Sequence, residues 1–459
     1  MHADRSFLAW LISCALLAGC GTLTSRHPAQ FIIVHPEGYA IGLDRREVAD
    51  FDDQVWEPIL AGIDAYVENS NRQGQPARLF VYVHGGLTTY QGGLDELEKF
   101  RTAQAQQELY PHLAGHHLLF VNWDSSLLTS VIDDLFVIRL GRRSPLWGVP
   151  SSPFVVGQRV TSSGLGMPQS LGLQASNARD SLVVRERERW PWCELADSGG
   201  AEGTGWVVSN AGLFAALYPL RAATVPAIQG FGPAAWDTMK RRAELVMAPR
   251  LPRPRECDRG LDDRCEGGGR LLLDALRRHI PQAGQWTTRE KAVRPLNITL
   301  VGHSMGTMVL NHLLQDFSDV FFDRIIYLAA AAAMDDVRGA VFPYLDRHPE
   351  TTFWAFSLSE TREASEWNIV DVIERGSLLV WIDHYLERIN KPGDRTFGRA
   401  KNLRNHLADH EVEPRHTDRR QIILVKFGNG RDDPERHADL NDPGVVERAL
   451  ALSASEECR

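Results

Sequence analysis

The chain has 459 residues, 43% of them hydrophobic, enough for the core of one large domain with insertions or of two domains. Its net charge is −9 and its arginines are scattered among acidic residues, which argues against a nucleic-acid surface. No internal repeat or low-complexity tract is present, which excludes a solenoid.

The N-terminal segment reads as a leader rather than as part of the fold. Arg5 gives a weakly positive start, and Phe7 to Ala18 is an apolar run too short to remain as a stable membrane span. The run ends in Leu17-Ala18-Gly19-Cys20, which resembles a bacterial lipobox. The resemblance implies that 1–19 is a signal peptide and that Cys20 is lipidated and becomes the new N-terminus. An ordinary secretory signal containing a cysteine is the alternative. Gly21, rather than an aspartate, follows the cysteine, and in a Gram-negative cell this implies sorting to the outer membrane. The mature chain would hang from the membrane by its lipid, otherwise soluble on the periplasmic side, with 20–30 as a tether. Export makes disulfides possible. Cys257 and Cys265 flank a short polar loop and form the first expected pair; Cys193 with Cys458 is the second. No C-x-x-C pattern or histidine cluster suggests zinc, and the acidic loop Asp258 to Glu266 lacks a calcium-loop register.

Beyond the tether, Phe31 to His35 predicts a first strand. Phe51, Val55, Ile59, Ile63 and Val67 recur every four residues and predict an amphipathic helix over 51–70. Arg78 to Val83 is a buried-strand pattern, 92–109 a helix, and His117 to Asn122 another strand. This alternation predicts an α/β fold with a mostly parallel central sheet. The pattern breaks over 126–269, which is rich in Gly, Pro, Ser and Trp, with helix-like pieces at 127–140, 211–223 and 233–248. That stretch is expected to be a large insertion or cap, with its largely apolar part from Gly205 to Trp236 serving either core packing or a cap over a site. Leu271 to Ile280 restores a helix and Ile298 to Val301 restores the sheet. Strands are predicted at Arg324 to Leu328, Thr352 to Ser357 and Gln421 to Phe427, with a helix at Leu378 to Ile389.

Asn297 to Val301 runs into Gly302-His303-Ser304-Met305-Gly306, and Thr307 to Phe317 reads as a helix. G-x-S-x-G alone is a weak signal, but between a strand and a helix it holds a serine hydroxyl out of the sheet beside a helix N-terminus. That arrangement makes Ser304 a candidate nucleophile.

Here the chain resembles the α/β-hydrolase superfamily, of the serine esterase and lipase type. The resemblance covers roughly 31–125 and 270–440, within a hydrolase domain expected over 31–125 and 270–459. Three features carry it: the strand ending at His84-Gly85-Gly86, the turn around Ser304, and His437, the one histidine after the last strand. It implies hydrolysis of a carboxylic ester through an acyl-enzyme, with no cofactor and with a small-molecule or lipid acyl ester as substrate. His437 would be the general base, with His406, His410 and His416 as alternatives before the last strand. Backbone N–H groups of Gly86 and Met305 would hold the oxyanion. The acid that orients the base is expected at Glu360, with Asp335 and Glu363 as alternatives. The long stretch between Ser357 and the last strand departs from the family's usual pattern and leaves the acid open. Asp124, after the strand at 117–122, is expected to stabilise a loop. A thioesterase or amidase, or an envelope lipoprotein that kept the fold without turnover, are the competing readings.

Overall fold

The computed structural model describes residues 23, 25, 27–139, 142–143, 147–162, 192–194, 228, 230–251, 265–366, 376–403, 421–427 and 433–455. The expected helix at 211–223, the lipobox, His406, His410, His416, Cys257 and Cys458 lie outside them. The strands are β1 (Phe31–Val34), β2 (Ala40–Ile41), β3 (Ala77–Val83), β4 (His117–Trp123), β5 (Trp192–Glu194), β6 (Gln285–Thr287), β7 (Val293–His303), β8 (Arg324–Leu328), β9 (Thr352–Leu358) and β10 (Ile422–Phe427). A separate two-stranded ribbon pairs Ile138–Arg139 with Arg142–Arg143.

These ten strands form one sheet in the order β2-β1-β4-β3-β7-β8-β9-β10-β5, with β6 beside β7. The pairings are parallel except β1 with β2 and β6 with β7. The fold is therefore α/β with a mostly parallel central sheet, as the alternation of patterns predicts. β4 is buried along its whole length, and β3 at every residue but Arg78. Such runs without polar alternation are what a sheet covered on both faces requires.

Helices α1 (Glu57–Arg72) and α2 (Tyr90–Ala105) lie on opposite faces. His117 of β4 meets Tyr66 of α1 at 5.5 Å between ring centroids, whereas Phe120 meets Phe100 of α2 at 5.3 Å. Residues of opposite parity on one strand point to opposite sides, which fixes the two layers. α3 (Gly268–Arg278) joins the α1 layer through His279 at its C-terminal end, whose ring stacks on Trp286 and meets Trp56 at a tilt. α4 (Gly306–Asp316) follows β7 and packs on α5 (Met334–Arg347). α6 (Pro443–Ala454) closes the α2 layer, its Glu447 accepting from the backbone N–H groups of His112 and Leu113 at 2.9 and 2.7 Å.

Two pieces of the expected cap, 126–269, belong to the body. β5 extends the sheet beside β10. Residues 230–246 form a helix whose Trp236, Met239, Ala243 and Val246 are buried in the main core. Their spacing of three or four residues makes an apolar stripe, so this helix needs the sheet to cover it. Arg242 of the same helix pairs with Asp133 at 2.6 Å and reaches Asp124 at 3.4 Å, tying the helix to the exit of β4. A surface helix at 147–162 packs on 133–137. Cys193 and Cys265 are both disulfide-bonded.

Candidate active site

The parallel strands β3, β7, β8, β9 and β10 end on one edge of the sheet, and the chemistry-bearing residues follow those ends. Ser304 lies between β7 and α4 at φ +50°. A left-handed backbone is strained for a residue with a Cβ and persists only where neighbours hold it. Ser304 N–H donates to Leu328 O at 2.8 Å, and its carbonyl accepts from Thr307 N–H, Ala331 N–H and Thr307 Oγ1 at 3.2, 3.1 and 2.7 Å. The turn is thus locked from the exit of β8 as well as from its own helix.

Gly306 lets this turn press against β3: a Cβ there would lie 2.1 Å from Val83 O. Backbone cannot yield as a side chain can. Gly306→Ala is expected to cost about 1–3 kcal/mol of stability, the usual range for overpacking, and to move Ser304 out of register. Thermal denaturation beside an esterase assay checks this; an unchanged melting temperature would refute the packing argument.

His437 opens a short 3-10 helix, His437–Asn441, after β10. Its Nε2 stands 2.9 Å from Ser304 Oγ. Both residues are buried, Ser304 at 1% exposure and His437 at 5%. Burial, with His303 adding to it, holds the His437 pKa well below the ordinary histidine value, so the ring is neutral and its Nε2 can accept the hydroxyl proton. The main chain of His437 is clamped on both sides. Its N–H donates to Glu366 Oε2 at 2.9 Å, and His303 Nε2–H donates to its carbonyl at 3.3 Å. Burial lowers the pKa of His303 to about 4, so this neighbour is neutral too.

The structure does not bring the expected acid to the base. Glu360 Oε1 is paired with Arg399 at 2.6 Å, and Arg399 also holds Asp383 at 2.9 Å. Glu363 accepts from the Ser377 hydroxyl, and burial raises its pKa to about 8. Asp335 is paired with Lys391. His437 Nδ1 has no hydrogen-bond partner among the described residues. The reason lies in Arg399: a buried guanidinium requires carboxylates, and it takes Glu360.

Glu366 is the carboxylate that touches His437, and sequence reasoning missed it. Glu360, Glu363 and Glu366 recur every three residues, but only Glu360 and Glu363 lie within the short helix Glu360–Ser365. Glu366 caps its end and turns toward the base. The three-residue spacing was the available signal, and nothing in it distinguishes the third glutamate.

The loop after β3 packs directly on the serine turn. A Cβ at Gly85 would lie 2.6 Å from His303 Nδ1 and 2.9 Å from Ser304 Cβ, and one at Gly86 would lie 2.8 Å from Met305 Sδ. Among the described residues neither Gly86 N–H nor Met305 N–H donates to another protein group. The loop is braced from β4: Leu87 N–H donates to Ser125 O at 3.0 Å, and Ser125 Oγ donates to Gly85 O at 2.8 Å. His84 spans the same two exits, its Nδ1 2.9 Å from Gly85 O and its Nε2 3.1 Å from both Trp123 N and Asn122 Oδ1. Asp124 accepts from Ser126 N–H and Thr129 Oγ1, each at 3.1 Å, and so braces the loop.

Neither protein-family models, nor curated proteins, nor solved structures give a match to this chain. The site therefore has to be read from its own geometry. That geometry pairs a strained, hydrogen-bonded serine with a neutral imidazole and two unpaired backbone donors. Among the described residues no group of three or more His, Cys, Asp or Glu side chains could hold a metal ion.

Proposed function

We propose that this chain is a serine hydrolase of the α/β-hydrolase type that cleaves carboxylic esters, tethered to a bacterial membrane through a lipid on Cys20. The observation that carries the reading is the 2.9 Å contact between Ser304 Oγ and His437 Nε2 at a left-handed strand-to-helix turn. Ser304 Oγ attacks the acyl carbonyl as His437 takes its proton. The tetrahedral oxyanion is held by Met305 N–H and Gly86 N–H, each such donor contributing about 3–4 kcal/mol to the transition state. His437 returns the proton to the departing alcohol, and the acyl group stays on Ser304. Water, activated by the same imidazole, then releases the acid. Glu366 and His303 keep the ring in place through its main chain.

A fluorophosphonate probe tests the proposal. Covalent labelling of the native chain and none of Ser304→Ala is the expected result. Folded native protein that stays unlabelled would leave the second reading, an envelope lipoprotein without turnover. The unpartnered His437 Nδ1 is what favours that second reading. Parallel assays on p-nitrophenyl esters, acyl thioesters and anilides separate an esterase from a thioesterase or amidase.

The buried imidazole also sets the pH profile. Activity needs neutral His437, and its pKa lies well below the ordinary value of about 6.5 because of burial. Protonation therefore begins only at lower pH, and the acid limb of kcat/KM should lie below the range in which an ordinary histidine titrates. An acid limb centred at or above about 6.5 would show that the ring is solvated in the working enzyme.

A further inference from the structure

The helix at 230–246 crosses the ends of the strands one at a time. Leu245 O lies 2.5 Å from where a Cβ on Gly38 would stand, in the turn between β1 and β2. Arg242 Nη1 donates to Asp124 O at 3.2 Å, at the exit of β4. The Met239 methyl lies 3.4 Å from where a Cβ on Gly86 would stand, at the exit of β3. β1, β4 and β3 are successive parallel neighbours, and β3 is parallel to β7 in turn. Three helical residues advance about 4.5 Å, and neighbouring strands lie about 4.8 Å apart. Leu245, Arg242 and Met239 therefore take one strand each. The helix runs across the strands rather than along them, on the edge that carries Ser304.

The strand after β3 is β7, and the next step along the helix is Trp236. The same spacing brings Trp236 to the exit of β7, where Ser304 stands. Beyond that point the helix is held from the segment between β9 and β10. Trp236 Nε1 donates to Glu387 Oε2 at 2.8 Å, and Lys240 pairs with the same carboxylate at 2.7 Å. A Cβ on Gly232 would lie 2.8 Å from Leu386 Cδ2. On the other side Arg242 pairs with Asp133 at 2.6 Å. The helix is thus pinned on both sides of the serine, and Trp236, Met239 and Ser304 are all buried. An acyl group attacked by Ser304 has to fit between the serine turn and this helix.

We infer that the 230–246 helix roofs the Ser304 site and that Met239, with Trp236 beside it, limits the site to short, uncharged acyl groups. The Met239 and Met305 side chains flank Gly86 with no charge between them, and a charged acyl group would be stranded there without a partner. Met239 bounds the length because its methyl already occupies the space beside the Gly86 donor. An unbranched thioether fills such a gap and leaves a larger space when it is shortened. The inference rests on the ester-hydrolase reading for its substrate but not for the placement of the roof.

Two measurements on the full chain test this. The first compares kcat/KM for p-nitrophenyl acetate and p-nitrophenyl octanoate, and the native chain is expected to favour the acetate. Met239→Ala should raise the octanoate-to-acetate ratio by about tenfold, since even one methylene in an apolar pocket is worth that much. Met239→Leu nearly conserves volume and withdraws the terminal methyl, so it serves where the alanine variant fails to fold, and it should move the ratio the same way. The second measurement needs no catalysis. In Ser304→Cys, the rates at which methyl and octyl methanethiosulfonate modify position 304 are followed by peptide mass, with and without the Met239 substitutions. The octyl reagent should lag behind the methyl one beneath Met239 and recover in the variants. Where esters are cleaved, their ratio decides; where none is cleaved, the thiol rates decide. A deciding ratio that changes by less than about threefold in folded variants overturns the proposal, as does a native preference for octanoate. No ester turnover together with the expected thiol rates refutes the hydrolase reading and leaves the roof. Ester turnover with an unchanged ratio refutes the roof and leaves the hydrolase.

Discussion

His437→Ala is expected to lower kcat for ester hydrolysis by about 10⁴- to 10⁶-fold while leaving the chain folded. The size follows from what the imidazole does. Without a base 2.9 Å from Ser304 Oγ, the hydroxyl attacks as a neutral alcohol, and the leaving alkoxide departs unprotonated. The backbone donors remain, so residual turnover about 10³- to 10⁴-fold above the uncatalysed rate should persist. The fold should survive because its clamps grip the main chain of residue 437 rather than the ring. Glu366 accepts from the backbone N–H and His303 donates to the backbone carbonyl, and alanine keeps both groups. Steady-state kinetics beside circular dichroism separates the two effects. A loss of less than about tenfold in a folded variant would remove His437 from the chemistry.

The elements whose patterns are long and regular were legible in the sequence. β7, β8 and β9 and helices α1 and α4 occur where apolar runs and fourfold spacing predict them, because such segments can satisfy burial in only one way. The serine turn was legible for a related reason: Gly302 and Gly306 stand where a Cβ would meet Leu310 and Val83, so a contact between elements has left its mark in residue type. The 230–246 helix was legible as a helix, but the choice between core packing and a cap was not. Its stripe of Trp236, Met239 and Val246 says that something must cover it and not what. β5 and β6, of three residues each, carry no periodicity to read. The expected acid is paired away from the base for a deeper reason. Ordering along a family pattern assigns Glu360, but which carboxylate a buried cation captures depends on Arg399, thirty-nine residues further on.

That capture leads to the largest expected effect on stability. Arg399 is 3% exposed, and it is held by Glu360 at 2.6 Å and by Asp383 at 2.9 Å. Asp383 accepts in addition from Thr396 N–H at 2.9 Å and from Asn402 Nδ2 at 2.6 Å, so among the described residues Arg399 ties Glu360 to the 383–402 stretch. Arg399→Met keeps much of the volume but strands two carboxylates away from water. Breaking a buried pair in this way costs about 3–5 kcal/mol, so the melting temperature should fall sharply. Glu360→Gln is the informative companion. It leaves Arg399 paired with Asp383 and keeps an amide oxygen for the guanidinium, so the stability loss should be smaller and kcat should change by less than about tenfold. An orienting acid behaves differently, because its amide variant misorients the base and costs about 10⁴-fold in kcat. A collapse of kcat in folded Glu360→Gln would mean that Glu360 leaves Arg399 for His437 Nδ1 during turnover. Retained kcat, with a melting curve that still depends on Arg399, would make Glu360 a support of the site rather than a member of it.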